Sequence, residues 1–264
     1  MTRLRDPLPT DVSGLPSLPT AYDAVLDEGL AALGLTLDDA ARTAIADHVR
    51  LLFAWTAAIN LTAIRDPVAA AREHVLDSLA AVPLLGATNA PDLLDLGSGG
   101  GFPGLPLAIA LPRMRTLLVE SVGKKATFLA TVVDALELRP RVAVAATRAE
   151  TLAADPHHRG RWSTVAVRAV GPLVELAELG LPLLAPGGLL VAWKRRVDDG
   201  AALAAEVAAA ERLIGGLGGG RPRIEPIAVP GLLDHVLVVI EKVGPTPPGY
   251  PRDPATRRRP ASPR

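Results

Sequence analysis

Residues 92 to 104 read Asp-Leu-Leu-Asp-Leu-Gly-Ser-Gly-Gly-Gly-Phe-Pro-Gly and run straight into an apolar, helix-like segment that ends near Leu111. The spacing predicts a short strand ending at Asp95 and a helix beginning near Pro103. The four glycines between them make a tight turn whose bare backbone N–H groups a ligand can approach closely. Such a turn is a cradle for a small molecule. A glycine-rich loop that binds nothing is a poor explanation for four glycines with an acid on either side.

Two ligand classes fit. Gly99, Gly101 and Gly104 satisfy the Gly-x-Gly-x-x-Gly dinucleotide fingerprint, with Glu120 at the tip of the next strand available to a ribose. In that arrangement, however, the strand meets its first glycine on apolar residues, because a pyrophosphate is held by N–H groups and the helix dipole. Here Asp95 stands two residues before Gly97, giving Asp-x-Gly-x-Gly-x-Gly. A carboxylate at that point repels a pyrophosphate and suits a ligand carrying an ammonium and a sulfonium. Local charge therefore favours S-adenosylmethionine. A nicotinamide-dependent oxidoreductase is the alternative enzyme, and a donor-binding RNA-binding protein without catalysis is the alternative outside enzymes.

Composition narrows the setting. The 264 residues are 49% hydrophobic, ample for a core, and carry a formal net charge of zero. Affinity for nucleic acid must then come from local basic patches. Cysteine is absent, which removes disulfides, thiolate metal sites and cysteine nucleophiles together. Residues 1 to 7 hold no apolar signal core, and charges or prolines interrupt every apolar run before it reaches membrane-spanning length. A soluble, cytoplasmic, monomeric protein is expected, with no membrane partner. His157 and His158 lie in a polar loop without an acid or cysteine at ligand spacing, so no metal site is expected.

The elements that must position the glycine turn follow from periodicity. Residues 1 to 20 are rich in proline and glycine and predict a mobile leader. Helices are expected over Tyr22 to Leu33, from Thr36 or Asp38 as cap toward Ala58 with Ile45, Val49, Leu52, Phe53 and Thr56 on one face, and after Pro67 through Leu79. Residues 21 to 88 then form a helical cap, and residues 89 to 245 the main domain. Beyond the turn, strands are expected at Arg115 to Glu120, Arg141 to Ala145, Ser163 to Arg168 and Leu189 to Lys194. Helices at Gly123 to Leu138, Pro172 to Leu184 and Ala201 to Ile214 alternate with them. That alternation predicts an α/β fold with a mostly parallel sheet and helices on both faces. Arg223 to Val229 and His235 to Glu241 have no helix between them and predict an antiparallel hairpin at the sheet edge. Residues 246 to 264 form a basic tail rich in Pro and Arg.

Several stretches together resemble the bacterial small-subunit (16S) ribosomal RNA guanine-N7 methyltransferases, also known as the glucose-inhibited division protein B family. They are Asn-Leu-Thr-Ala-Ile-Arg-Asp-Pro at 60 to 67, His-Val-Leu-Asp-Ser-Leu at 74 to 79, Asp-Leu-Gly-Ser-Gly-Gly-Gly-Phe-Pro-Gly at 95 to 104, and Glu-Ser-Val-Gly-Lys-Lys at 120 to 125. Arg-Ala-Glu at 148 to 150, Val-Arg-Ala-Val at 167 to 170, Leu-Ala-Pro-Gly-Gly at 184 to 188 and Tyr-Pro-Arg at 250 to 252 extend the match. The resemblance implies a class I (Rossmann-like) methyltransferase fold behind a small helical cap, S-adenosylmethionine as donor, and a guanine of small-subunit RNA, free or in the 30S particle, as acceptor. It places donor contacts at Gly97, Phe102, Ala149, Glu150 and Arg168. The family tail alternates Pro, Gly and Lys after Tyr-Pro-Arg, whereas this one continues Asp-Pro-Ala-Thr-Arg-Arg-Arg-Pro.

The residues carry further expectations of their own. Gly97 and Gly99 belong under the methionine part of the donor with Phe102 packed near it, Asp95 supplies the local negative charge, and Glu120 is placed to accept the ribose hydroxyls. Arg168 ends the fourth strand and, if buried, needs a carboxylate or the ligand. His74 and Asp77 share a helix face, where a hydrogen bond between cap and main domain is the leading reading. Lys124 and Lys125, Lys194 and Arg195, and Arg257 and Arg258 are candidate RNA contacts. Lys194 is expected on a phosphate, and the tail from Arg252 onward is expected to be an unfolded basic arm.

What is missing bears on mechanism. Methylation at a cytosine carbon needs a cysteine nucleophile, and the chain has none. Methylation of an exocyclic adenine amine goes with an Asn-Pro-Pro-Tyr type loop after the fourth strand, where this chain has Arg-Ala-Val-Gly-Pro. Guanine N7 offers a lone pair and needs no general base, so no catalytic acid or base is assigned.

Overall fold

The computed structural model describes residues 7–88, 90–168 and 171–257. The cap begins with α1 (Thr20–Leu33), which ends where Gly34 turns left-handed. Helix α2 (Asp39–Ile59) is capped by Asp38, whose carboxylate accepts the Ala41 N–H at 2.7 Å. Asp66 does the same for Ala69 at the start of α3 (Pro67–Ala70), where Pro67 fits the first helical turn. That helix continues through a π-helical turn, Ala71–Leu76, into α4 (Asp77–Leu79), and α5 (Val82–Gly86) leads to the sheet. The wider π-turn lies where the cap meets the site.

The sheet holds seven strands: β1 (Asp92–Leu96), β2 (Arg115–Val119), β3 (Val142–Ala145), β4 (Trp162–Arg168), β5 (Leu184–Arg195), β6 (Arg223–Pro226) and β7 (His235–Glu241). Their order is β3-β2-β1-β4-β5-β7-β6, parallel throughout except β7, which runs antiparallel to both neighbours. The expected edge hairpin is therefore present. Its second strand is the inner one, because β7 carries an unbroken buried run from Val236 to Ile240 whereas β6 is polar and outward. The interleaved helices are α6 (Gly104–Ala110), α7 (Gly123–Ala135), α8 (Ala149–Ala154), α9 (Leu173–Gly180), α10 (Ala201–Gly216) and α11 (Pro254–Arg257).

Alternation along each strand sends one set of side chains to each face. Leu93, Leu118, Ala166, Val191 and Val239 join the core of α6, α7 and the cap, while Leu94, Val165, Val167, Leu190 and Val238 join that of α8, α9 and α10. The cap thus shares one core with the sheet. The leader, expected to be mobile, packs on the cap where it is described. Arg50 of α2 donates to the carbonyls of Val12, Leu15 and Pro16, Trp55 donates to that of Pro9 at 2.8 Å, and Leu8, Val12, Leu15 and Leu18 pack on the core.

Residues 252–257 likewise correct the expectation of an unfolded arm. Glu178, fully buried in α9, accepts the Arg252 backbone N–H at 2.7 Å and its guanidinium at 2.6 and 3.0 Å. A buried carboxylate needs a cation, and the chain brings one from 74 residues away.

Candidate active site

The turn between β1 and α6 is held from beneath. Gly97 N–H and Ser98 N–H both donate to the Val119 carbonyl, at 2.8 and 3.0 Å. Glu120 accepts from Gly99 N–H at 3.0 Å and from Val122 N–H at 2.7 Å, so its carboxylate ties the turn to the end of β2. Both carboxylate oxygens, expected to serve a ribose, thus brace the turn, a role that the sequence reading lacked. Gly99 has φ +54 and open space above it, with nothing nearer than 3.8 Å to an added Cβ. At Gly104 an added Cβ would sit 2.5 Å from the Asp95 carboxylate, so the turn closes only with glycine there.

Asp95 is fully buried and accepts the Gly104 N–H at 3.0 Å through one oxygen, while the other has no partner. Its carboxylate therefore lies behind the turn and not on the exposed surface. Burial pushes its pKa up to about 6, the neighbouring Ser98 hydroxyl and the Gly104 N–H hold it down, and Glu120 adds to the rise.

Phe102, expected beside the donor, is buried between two imidazoles. His48 stacks on it at 4.5 Å and His74 at 4.7 Å, with the Arg168 guanidinium 5.4 Å from the ring centre. His48 donates through Nε2 to the Gly100 carbonyl at 2.8 Å, and the His74 Nε2 bonds Thr62 Oγ1 at 2.7 Å. Burial lowers both histidine pKa values to about 4, so both rings are neutral at pH 7. His48 was missed in the sequence because it sits on the apolar face of α2 with Ile45, Val49 and Leu52, where a core side chain is the ordinary reading.

Asp77 joins cap to sheet. It accepts Arg168 Nη1 at 2.9 Å on one oxygen and binds His235 Nδ1 at 2.9 Å with the other, while its carbonyl accepts Trp193 Nε1 at 2.7 Å. Arg168 also donates to the Glu73 carbonyl at 3.0 Å. The expectation of a carboxylate partner for Arg168 and of a cap-to-sheet bond for Asp77 is met in a single ion pair. Lys194 is not free for a phosphate: its Nζ donates to Glu206 at 2.5 Å and to the Gly171 carbonyl at 2.9 Å, and its side chain is 13% exposed. Arg195 pairs with Asp234 but stays exposed. Lys124 and Lys125 lie in the first turn of α7, away from both cavities described next. Arg257, also expected on RNA, is turned inward onto Glu150 and Glu175, and Arg258 lies outside the described residues.

Two cavities flank the end of β4. The first, of about 200 Å³, lies over the carboxyl ends of β1, β2 and β4 and is lined by Gly97, Ser121, Thr147, Ala149, Glu150 and Val167, among others. The second, of about 420 Å³, lies on the cap side among His74, Asp77, Arg168, Trp193, Lys194 and His235. Val167 belongs to one and Arg168 to the next, because neighbours on a strand face opposite ways. Gly97, Ala149 and Glu150 are thus brought together at the first cavity, while Arg168 lines the second.

A ligand crevice outside strand ends, at the point where the order reverses between β1 and β4, together with an acid-flanked glycine turn, defines a class I methyltransferase site. A solved O-methyltransferase from Bacillus cereus in complex with SAH shares the fold, with a TM-score of 0.54 at 15% identity over 84% of this chain and 100% of that one. Residues 42–214 match the family described as rRNA small subunit methyltransferase G. Ribosomal RNA small subunit methyltransferase G of Roseiflexus sp. (strain RS-1) is 46% identical over 84% of this chain and 92% of its own. That of Chloroflexus aggregans is 40% identical over 87% and 94%. The chain belongs to the rRNA small subunit methyltransferase G family.

Proposed function

We propose that this protein is an S-adenosylmethionine-dependent methyltransferase acting on N7 of a guanine in small-subunit ribosomal RNA, working as a cytoplasmic monomer. The observation that carries the reading is the cavity over the carboxyl ends of β1, β2 and β4, walled by the glycine turn and the start of α8, with a second cavity beside Arg168 at the end of β4. The residues present suit the donor. Gly97 and Gly99 have positive φ with room above Gly99, and the buried carboxylates of Asp95 and Glu120 place negative charge behind the turn, opposite to a cationic ligand. Gly97, Ala149 and Glu150 would hold it. When bound, S-adenosylmethionine supplies an electrophilic methyl group on a sulfonium.

The chain's own part is positioning. N7 of guanine bears a free lone pair and loses no proton on methylation, so the site needs no base. His48 and His74 are neutral and spoken for by Gly100 and Thr62, and Asp77 is held by Arg168 and His235. Arg168 and Trp193 offer a planar cation and an aromatic edge to a base turned out of its stack. Orientation and exclusion of water supply rate enhancement worth on the order of 7 kcal/mol or more.

Incubating the protein with methyl-labelled donor and unmodified small-subunit RNA, then digesting to nucleosides, tests the reading. Label in 7-methylguanosine is the expected result. Donor binding without transfer would instead favour a non-catalytic RNA-binding protein, and binding of a nicotinamide dinucleotide in its place an oxidoreductase.

A further inference from the structure

Arg257 is the least expected residue of the first cavity. Its side chain is only 9% exposed, yet of its nitrogens only Nη2 is paired, with Glu150 at 2.5 Å and Glu175 at 3.4 Å. Nε and Nη1 are buried without a partner. Unpaired buried N–H groups of a cation are costly, so their persistence at a cavity wall points to an acceptor that arrives with a ligand. The segment is not a loose end that happens to lie there. Arg252 anchors it on Glu178, Asp253 accepts the Ala255 and Thr256 N–H groups at 2.9 and 3.0 Å, and Pro254 lines the same cavity.

We propose that Arg257 is a donor-site residue, reaching in from the carboxyl-terminal segment to hydrogen-bond the adenosine arm of the donor. The inference rests on reading this cavity as the donor site. Three observations assign the arm. On the proposed reading the reacting centre faces the second cavity at Arg168, and Arg257 does not line that cavity but lines the first, with α8 and the start of α9. The anionic background of Asp95 and Glu120 lies under the glycine turn and suits the ammonium of the amino-acid arm, leaving the other arm for the wall of Glu150 and Arg257. Two glutamates already face this one arginine, so a third carboxylate is disfavoured there, while a neutral purine with ring-nitrogen acceptors is not. The cavity of about 200 Å³ is also smaller than the roughly 300 Å³ at which ligand pockets begin, so a nucleoside entering it touches Pro254 and Arg257 or moves them.

Isothermal calorimetry with S-adenosylhomocysteine and with 5′-methylthioadenosine, which lacks the amino-acid arm, tests the assignment. Arg257→Ala is expected to weaken both ligands by a similar factor of about tenfold or more, as loss of a charge-assisted hydrogen bond does. Arg257→Lys, still able to pair with Glu150, is expected to fall between. Melting temperatures of both variants, measured alongside, show whether the fold is kept, and Arg257→Gln serves if the alanine variant does not fold. Unchanged affinity in a folded variant overturns the proposal. So does a loss confined to S-adenosylhomocysteine, which would put Arg257 on the amino-acid arm. If the wild-type protein itself binds neither ligand while Gly99→Val behaves identically, it is the reading of the cavity that fails, and this proposal with it.

Discussion

Glu120 serves the glycine turn with both carboxylate oxygens, and it sets the conformation that a donor meets. Glu120→Ala removes the acceptors of the Gly99 and Val122 N–H groups. Hydrogen bonds to a charged group are worth about 1.5–3 kcal/mol each, so the variant is expected to lose donor affinity and stability together, read by calorimetry and by denaturant unfolding. Preserved affinity would mean that the turn holds its shape unaided. The neighbouring titratable groups pull in opposite directions with pH. His48 and His74 sit near 4 in the folded chain against about 6.5 unfolded, so their contribution is present above pH 6.5 and is lost as pH falls through 4. Asp95, raised to about 6, contributes most below its unfolded value of 3.8 and loses that contribution as pH rises through 6. Two histidines outweigh one aspartate, and stability is expected to drop between pH 6.5 and 5, each histidine contributing at most about 2 kcal/mol and Asp95 offsetting part of the sum. In His48→Gln the drop should be shallower in urea titrations at pH 7 and 5. An equal drop would place the titrating group elsewhere.

At the scale of elements, the cap is tied to the sheet at α4, where Asp77 meets β4, β5 and β7 through Arg168, Trp193 and His235. Asp77→Ala strands a mostly buried guanidinium, and breaking such a pair from one side costs about 3–5 kcal/mol. Denaturant unfolding should show that loss, with Asp77→Asn milder because it still accepts one bond. The carboxyl-terminal segment makes the same argument from the other end. Arg252→Ala leaves Glu178 buried without its cation and is expected to destabilise by a similar amount, whereas a dispensable tail would show no change. The sequence made the strands and their alternation legible because β1, β4, β5 and β7 are buried on both faces and bounded by turn residues. It did not show that Arg252 ends on Glu178. A lone acid on an apolar helix face and a Pro-rich basic stretch each look solvated until folding joins them across the chain. Lys194 misled for a related reason: a cation at a strand end near a cleft is a phosphate ligand only if no acid is at hand, and Glu206 comes from the following helix. The glycine turn with Gly97, Gly99 and Glu120, by contrast, was legible as a ligand cradle from local chemistry alone, while His48, Trp193, Glu175 and His235 carried no local signal.

The whole molecule has a formal net charge of zero, so RNA is met by patches and not by a general field. With Lys194 and Arg257 paired internally, the exposed candidates among the described residues are Lys124 and Arg195, with Lys125 half-buried beside the first. Lys124→Glu with Lys125→Glu is expected to weaken RNA binding and flatten its dependence on salt, each lost phosphate contact lowering the log–log slope by about 0.7 to 0.9, while donor affinity is unchanged. An unaltered salt slope would exclude α7 from the interface.

The central claim, methylation of guanine N7 in small-subunit RNA, is most directly tested in the source organism. Small-subunit RNA from a strain lacking the gene, and from the same strain carrying it again, is digested and mapped for 7-methylguanine by mass spectrometry. The account predicts one 7-methylguanine that disappears with the gene and returns with it, and that does not return with Gly99→Val. A full complement of 7-methylguanine in the deleted strain, or loss of a different modification in its place, would contradict it.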